Sequence, residues 1–144
     1  MVDSSARAVV FVVALVVLLV AHQVGDHVIQ TDHQALHKTA EGASAALAMA
    51  GHLATYHIFA AILLVGTFLL LGLPLTVAGV LAGLGFSAAT HGLLDRRWPV
   101  RWLLRRTGSA KFAESTTPVC GMYTADQALH QLALLISALL ISTL

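Results

Sequence analysis

Residues 7–30 read RAVVFVVALVVLLVAHQVGDHVIQ, and this stretch decides the fold. After Arg7 the run is unbroken hydrocarbon as far as Ala21, and apolar residues continue to Ile29. That is enough to cross a bilayer, which takes about 20 mostly apolar residues. Its end nevertheless carries His22, Asp26, His27 and Gln30. A charged side chain at the bilayer centre costs about 2.5–3.5 kcal/mol on insertion scales, so ionisable groups at the end of a membrane helix call for a partner.

The rest of the chain repeats the pattern. Of 144 residues, 58% are hydrophobic and only 10% charged, against roughly 25% charged in soluble domains. With a mean hydropathy of +0.83, the composition is that of an integral membrane protein. Four apolar runs, 8–29, 46–71, 73–95 and 125–144, predict four spans in a single membrane domain covering 1–144. The fold class expected is an all-α membrane four-helix bundle. Cleaving the first run as a leader after Ala21 would sever it from a polar cluster that recurs in the other three, so it is read as a span. Cys120 is the only cysteine and excludes an internal disulfide.

Charge sets the expected topology. Residues 30–45 carry Asp32, His33, His37, Lys38 and Glu41 and read as a polar loop, whereas Leu71-Gly72-Leu73-Pro74 is an uncharged tight turn joining the second and third spans. The connection 96–124 opens RRWPVRWLLRR and holds six of the eight basic residues, Arg96, Arg97, Arg101, Arg105, Arg106 and Lys111. The positive-inside rule places it in the cytoplasm, together with 30–45, and puts both termini on the non-cytoplasmic side. Trp98 and Trp102 among the arginines suit a short amphipathic segment in the headgroup region, followed by an irregular loop.

This topology delivers ionisable residues from every span to one depth. Residues four apart share a helix face, so His22 pairs with Asp26, His91 with Asp95, and Asp126 with His130 in reverse order, as a helix of opposite direction requires. The second span contributes His52, with His57 five residues on and turned away. Buried imidazoles and carboxylates must pair or coordinate. The metal ligands predicted are His22, Asp26, His52, His91, Asp95, Asp126 and His130, more than the three or four that one zinc takes. One or two divalent ions, zinc, iron or manganese, suit the set. Soluble di-iron proteins hold metals in four-helix bundles, although their Glu-x-x-His pattern is absent here. Salt-bridged helix contacts or a proton relay remain open at this point. Gly79, Gly83 and Gly85 predict closely packed helices, which leaves little width for a haem. His27, His33 and His37 are expected at headgroups or solvent.

Taken together, AHQVGDHVIQTD (21–32), LAMAGHLATYH (47–57), ATHGLLD (89–95) and ADQALHQL (125–132) resemble a small bacterial and phage membrane-protein family of unknown function, over most of the chain except 96–124. The pattern is more distantly similar to inner-membrane proteins described as metal-dependent hydrolases. The resemblance implies a multi-pass protein of the bacterial inner membrane.

The expected function is a metal-dependent hydrolase acting on a lipid or lipid-linked phosphate at the cytoplasmic leaflet. Asp26, Asp95 and Asp126 are its candidate catalytic carboxylates, and Gln30, Arg96 and Arg97 its substrate-binding groups. The bilayer is the expected partner, and nucleic acid is not. The alternatives are a metal-ion or proton carrier, and an accessory subunit with a structural His/Asp core. Transport needs a polar trail to the far leaflet, and only Thr67, Ser137 and Ser142 interrupt that half, so a path through it would take an oligomer.

Overall fold

The structure, a computed structural model, describes residues 4–144. The described residues form helices and loops with no strand. Helix α1, Ser4–Val24, runs on through a π-helical turn, Gly25–Ile29. The short α2, Asp32–His37, precedes α3, Ala43–Leu71, and α4, Val77–Leu94. Then come α5, Trp98–Arg106, α6, Ala110–Glu114, and α7, Gly121–Thr143. Four of these, α1 with its π turn, α3, α4 and α7, are long and apolar enough to cross a membrane. Their outward faces are apolar as well: Val9, Val12, Val16 and Val20 on α1 and Ile58 and Ile62 on α3 are exposed. A helix that is apolar on its outer face has hydrocarbon as its natural solvent.

Helix α1 packs on α3 and α7, and α4 packs on the same two. At one end the four enclose a dry layer of Val10, Ala14, Leu18, Leu64, Phe68, Leu134, Ala138 and Ile141. The α3–α4 turn closes there. Gly72 ends α3 in the left-handed conformation, the Leu73 amide donates to Phe68 O at 3.0 Å, and Thr76 caps α4 by accepting from Gly79 N at 2.9 Å. Helix α4 therefore starts at Val77, because Pro74 lacks an amide donor and Thr76 supplies the cap.

Both polar connections are more ordered than their sequences suggest. Thr31 and Gln34 form a reciprocal capping box, at 3.0 and 3.2 Å, that nucleates α2 inside the expected loop 30–45. In 96–124, Pro99 sits in the first turn of α5, and Gly108, at φ +83°, separates it from α6. Val100 is buried, whereas Trp98 and Trp102 face out with Arg106 stacked over Trp102 at 5.6 Å.

The tightest helix crossing is α4 on α7. A Cβ on Gly79 would lie 2.8 Å from Ile141 O, and one on Gly83 would lie 2.8 Å from Ser137 O and 2.5 Å from Ile141 Cγ1. Gly85, expected to share this role, faces open space with nothing within 4 Å. Gly83→Ala is therefore expected to destabilise the fold by about 1–3 kcal/mol through overpacking, while Gly85→Ala leaves it unchanged or firmer. Thermal unfolding of both variants in detergent checks this, and equal melting would refute the α4–α7 contact.

Candidate metal centre

The four long helices meet, at the end opposite the dry layer, around seven ionisable side chains. His22 and Asp26 close α1, His52 lies in the first third of α3, His91 and Asp95 end α4, and Asp126 and His130 open α7. All six apart from Asp26 are buried, and the Asp26 side chain keeps only 6% of its exposure. The sequence nominated these seven as metal ligands, and the structure brings all of them together.

Four atoms form the tightest group. His52 Nε2 lies 2.9 Å from His91 Nε2, 3.3 Å from Asp26 Oδ1 and 3.3 Å from Asp95 Oδ2. His91 Nε2 lies 3.3 Å from Asp26 Oδ1 and 3.2 Å from Asp95 Oδ2. Of these, His52, His91 and Asp95 lie close enough together to hold a metal ion.

A second group shares Asp95 with the first. Asp95, Asp126 and His130 also lie close enough to hold an ion, as do His22, Asp26 and His91. Asp95 thus turns one oxygen toward His52 and His91 and the other toward His130 Nε2, 3.9 Å away. Three buried atoms in this region, Asp26 Oδ1, Asp126 Oδ1 and His130 Nε2, have no hydrogen-bond partner among the described residues. Such atoms are costly in an apolar interior, and a bound cation would satisfy them.

Outer contacts hold the imidazoles in orientation. His130 Nδ1 donates to Asp126 O at 2.9 Å, which leaves Nε2 as the free lone pair. His22 Nε2 donates to Gln127 Oε1 at 3.1 Å, and its Nδ1 faces Asp26 Oδ2 at 3.7 Å and the Tyr56 hydroxyl at 3.4 Å. Gln30 Nε2 is 2.9 Å from His52 Nδ1. Half a turn of that amide presents its carbonyl instead, fixing a proton on Nδ1 and freeing Nε2, the arrangement a metal-bound histidine favours. Gly25 makes room for all this: a Cβ there would lie 2.5 Å from the Tyr56 ring, and the π turn it opens carries Asp26 into the cluster.

One contributor was not legible in the sequence. Lys38, at the end of α2 and 8% exposed, donates to Asp95 Oδ2 at 2.8 Å. The capping box at Thr31 was the available signal, because it folds the linker back over the cluster. Tyr56 and Gln127 were missed too. His57 is outside the cluster, bonded to Leu53 O and Ser87 Oγ. His27 is exposed against Tyr123, and His33 and His37 stack on the exposed face of α2.

Above the cluster lies a cavity of about 160 Å³ lined by Asp26, Gln30, Lys38, Asp95, Arg97 and Asp126, among others. Of the candidate substrate-binding residues, Gln30 and Arg97 line it, whereas Arg96 donates to Ala40 O of the linker at 3.2 Å. Arg97 adopts φ +61°, the one positive φ at a non-glycine among the described residues. The left-handed region costs such a residue about 1–2 kcal/mol.

A family model described as "Protein of unknown function (DUF3307)" matches residues 14–144. No curated protein and no solved structure matches the chain.

Lys38→Met removes the ammonium from a buried carboxylate. In chelator-treated protein this is expected to cost about 3–5 kcal/mol of stability, read as a lower melting temperature in detergent. Melting unchanged from wild type would show that the Lys38–Asp95 contact carries no stability.

Proposed function

We propose that this chain, which belongs to the DUF3307 family, is a membrane-embedded metalloprotein. In this reading it is a four-helix bundle of the bacterial inner membrane, with the His/Asp cluster near the cytoplasmic leaflet. The observation that carries the proposal is the pair His52 Nε2 and His91 Nε2, 2.9 Å apart, with Asp26 Oδ1 and Asp95 Oδ2 each 3.2–3.3 Å from both. Salt-bridged helix contacts account for it less well. Two imidazole nitrogens turned edge to edge share at most one proton, and they leave Asp26 Oδ1 without a hydrogen bond. Zinc, iron or manganese fits the donor set, and the Asp95–Asp126–His130 group is the place for a second ion.

The chemistry we favour is hydrolysis of a lipid or lipid-linked phosphate. A metal so held would supply an activated water at neutral pH and a Lewis acid for a phosphoryl oxygen. The chain's own groups supply the rest. With a single ion bound at His52, His91 and Asp95, Asp126, which has an oxygen free of hydrogen bonds and a place on the cavity wall, suits the general base. Asp26 and Asp95 belong to the cage, and Gln30 orients His52. Transport fits less well, because the layer of Ala14, Leu18, Leu64, Phe68 and Ala138 closes the far end of the cluster with hydrocarbon.

Metal analysis of protein purified in detergent is expected to find one or two equivalents per chain. Chelator should lower the melting temperature of wild type, since a ligand bound to the native state stabilises it, and should leave His91→Ala almost unaffected. No metal, together with no effect of chelator on wild type, would end the proposal.

The orientation has its own check. Cysteines placed at Ser4 and Leu144 are expected to react with an impermeant thiol reagent in intact cells, while Cys120, exposed on the loop before α7, is protected. The opposite labelling would reverse the topology.

A further inference from the structure

The cavity above the cluster carries a charge balance of its own. Three carboxylates line it, Asp26, Asp95 and Asp126, and two cations, Lys38 and Arg97. A bound dication adds positive charge beside these groups, so an anion is held better by the loaded site than by the metal-free one. From this we propose that the cavity is an oxyanion subsite for a phosphate group, formed by Lys38 and Arg97 and switched on by the metal. The inference rests on the metal-binding reading above and adds to it the ligand and the condition for binding.

Lys38 is the switching element. Its ammonium bonds to Asp95 Oδ2, the same oxygen that stands with His52 and His91 in the candidate metal group. A dication in the cage takes over that oxygen's charge and repels the ammonium. Lys38 then turns to the cavity it already lines, where a phosphate oxygen replaces the carboxylate as acceptor. Arg97 stands ready from the other wall: no ion pair engages its guanidinium among the described residues, and its left-handed backbone sets it at the cavity instead of in line with α5. A bidentate guanidinium and a point-charge ammonium are the usual pair for phosphate recognition.

The cavity, about 160 Å³ in volume, has room for a phosphate group, either free or at the end of a lipid. Arg97 also lines a second, wider groove of about 450 Å³ with Trp98, Arg101, Trp102 and Arg105, so the cavity borders the amphipathic face that suits the headgroup region.

The test measures binding of radiolabelled inorganic phosphate to the full chain in phosphatidylcholine nanodiscs, zinc-loaded and chelated, with zinc content determined on the same samples. Loaded wild type is expected to bind at least tenfold more tightly than chelated protein. Arg97→Gln and Lys38→Met should each lose about tenfold while retaining zinc, and Arg105→Gln, confined to the outer groove, should bind as wild type. Because Lys38→Met also disturbs Asp95, Arg97→Gln is the decisive variant. Zinc bound with phosphate affinity unchanged by chelation, or unchanged in Arg97→Gln, overturns the subsite and leaves the metal reading intact; zinc not bound at all removes the metal reading itself. Adding phosphatidate to the nanodiscs separates the sources. Displacement of labelled phosphate assigns a lipid-borne group, and undiminished labelled binding assigns soluble phosphate.

Discussion

Ionisable groups withdrawn from water must be paired within the protein, and in this chain that requirement falls on seven side chains at once. His52 and His91 answer it by meeting at 2.9 Å, with Asp26 and Asp95 each 3.2–3.3 Å from both. The other features follow from that convergence. Helix α1 must bring Asp26 around through a π turn, α4 must end where Asp95 can face two neighbours, and the linker must return over the cluster to deliver Gln30 and Lys38. The apolar ends of the same helices have a looser task, satisfied by small residues such as Gly79 and Gly83 against α7.

Helical periodicity made much of this legible. Because side chains four apart lie on one face, the pairs His22/Asp26, His91/Asp95 and Asp126/His130 could be read directly, and each is a close contact in the structure. The five-residue step that set His57 apart from His52 also holds, since His57 turns to Ser87. The same rule sorts the glycines. Gly79 and Gly83 are four apart and both meet α7, whereas Gly85 lies two residues on and faces outward.

What the sequence concealed depends on tertiary return. Lys38 sits in a stretch whose composition reads as solvated loop, and only the path of α2 carries it to Asp95. Arg96 and Arg97 are chemically identical neighbours. The left-handed backbone of Arg97 separates them, giving one to the cavity and the other to a linker carbonyl. The π turn has no propensity signal beyond Gly25, since it arises from how α1 must approach Tyr56.

The segregation of the dry layer from the polar cluster has an evolutionary consequence. Val10, Ala14, Leu18, Leu64, Phe68 and Ala138 answer only to volume and shape, so many combinations of aliphatic residues can replace one another there as long as the whole still fills. Substitutions at that end and at the chemical end are nearly independent, because they share helices but few neighbours. The apolar end can thus be lengthened, shortened or repacked without disturbing the seven polar residues. Divergence in this molecule should accordingly be graded along its long axis, steep at one pole and slight at the other.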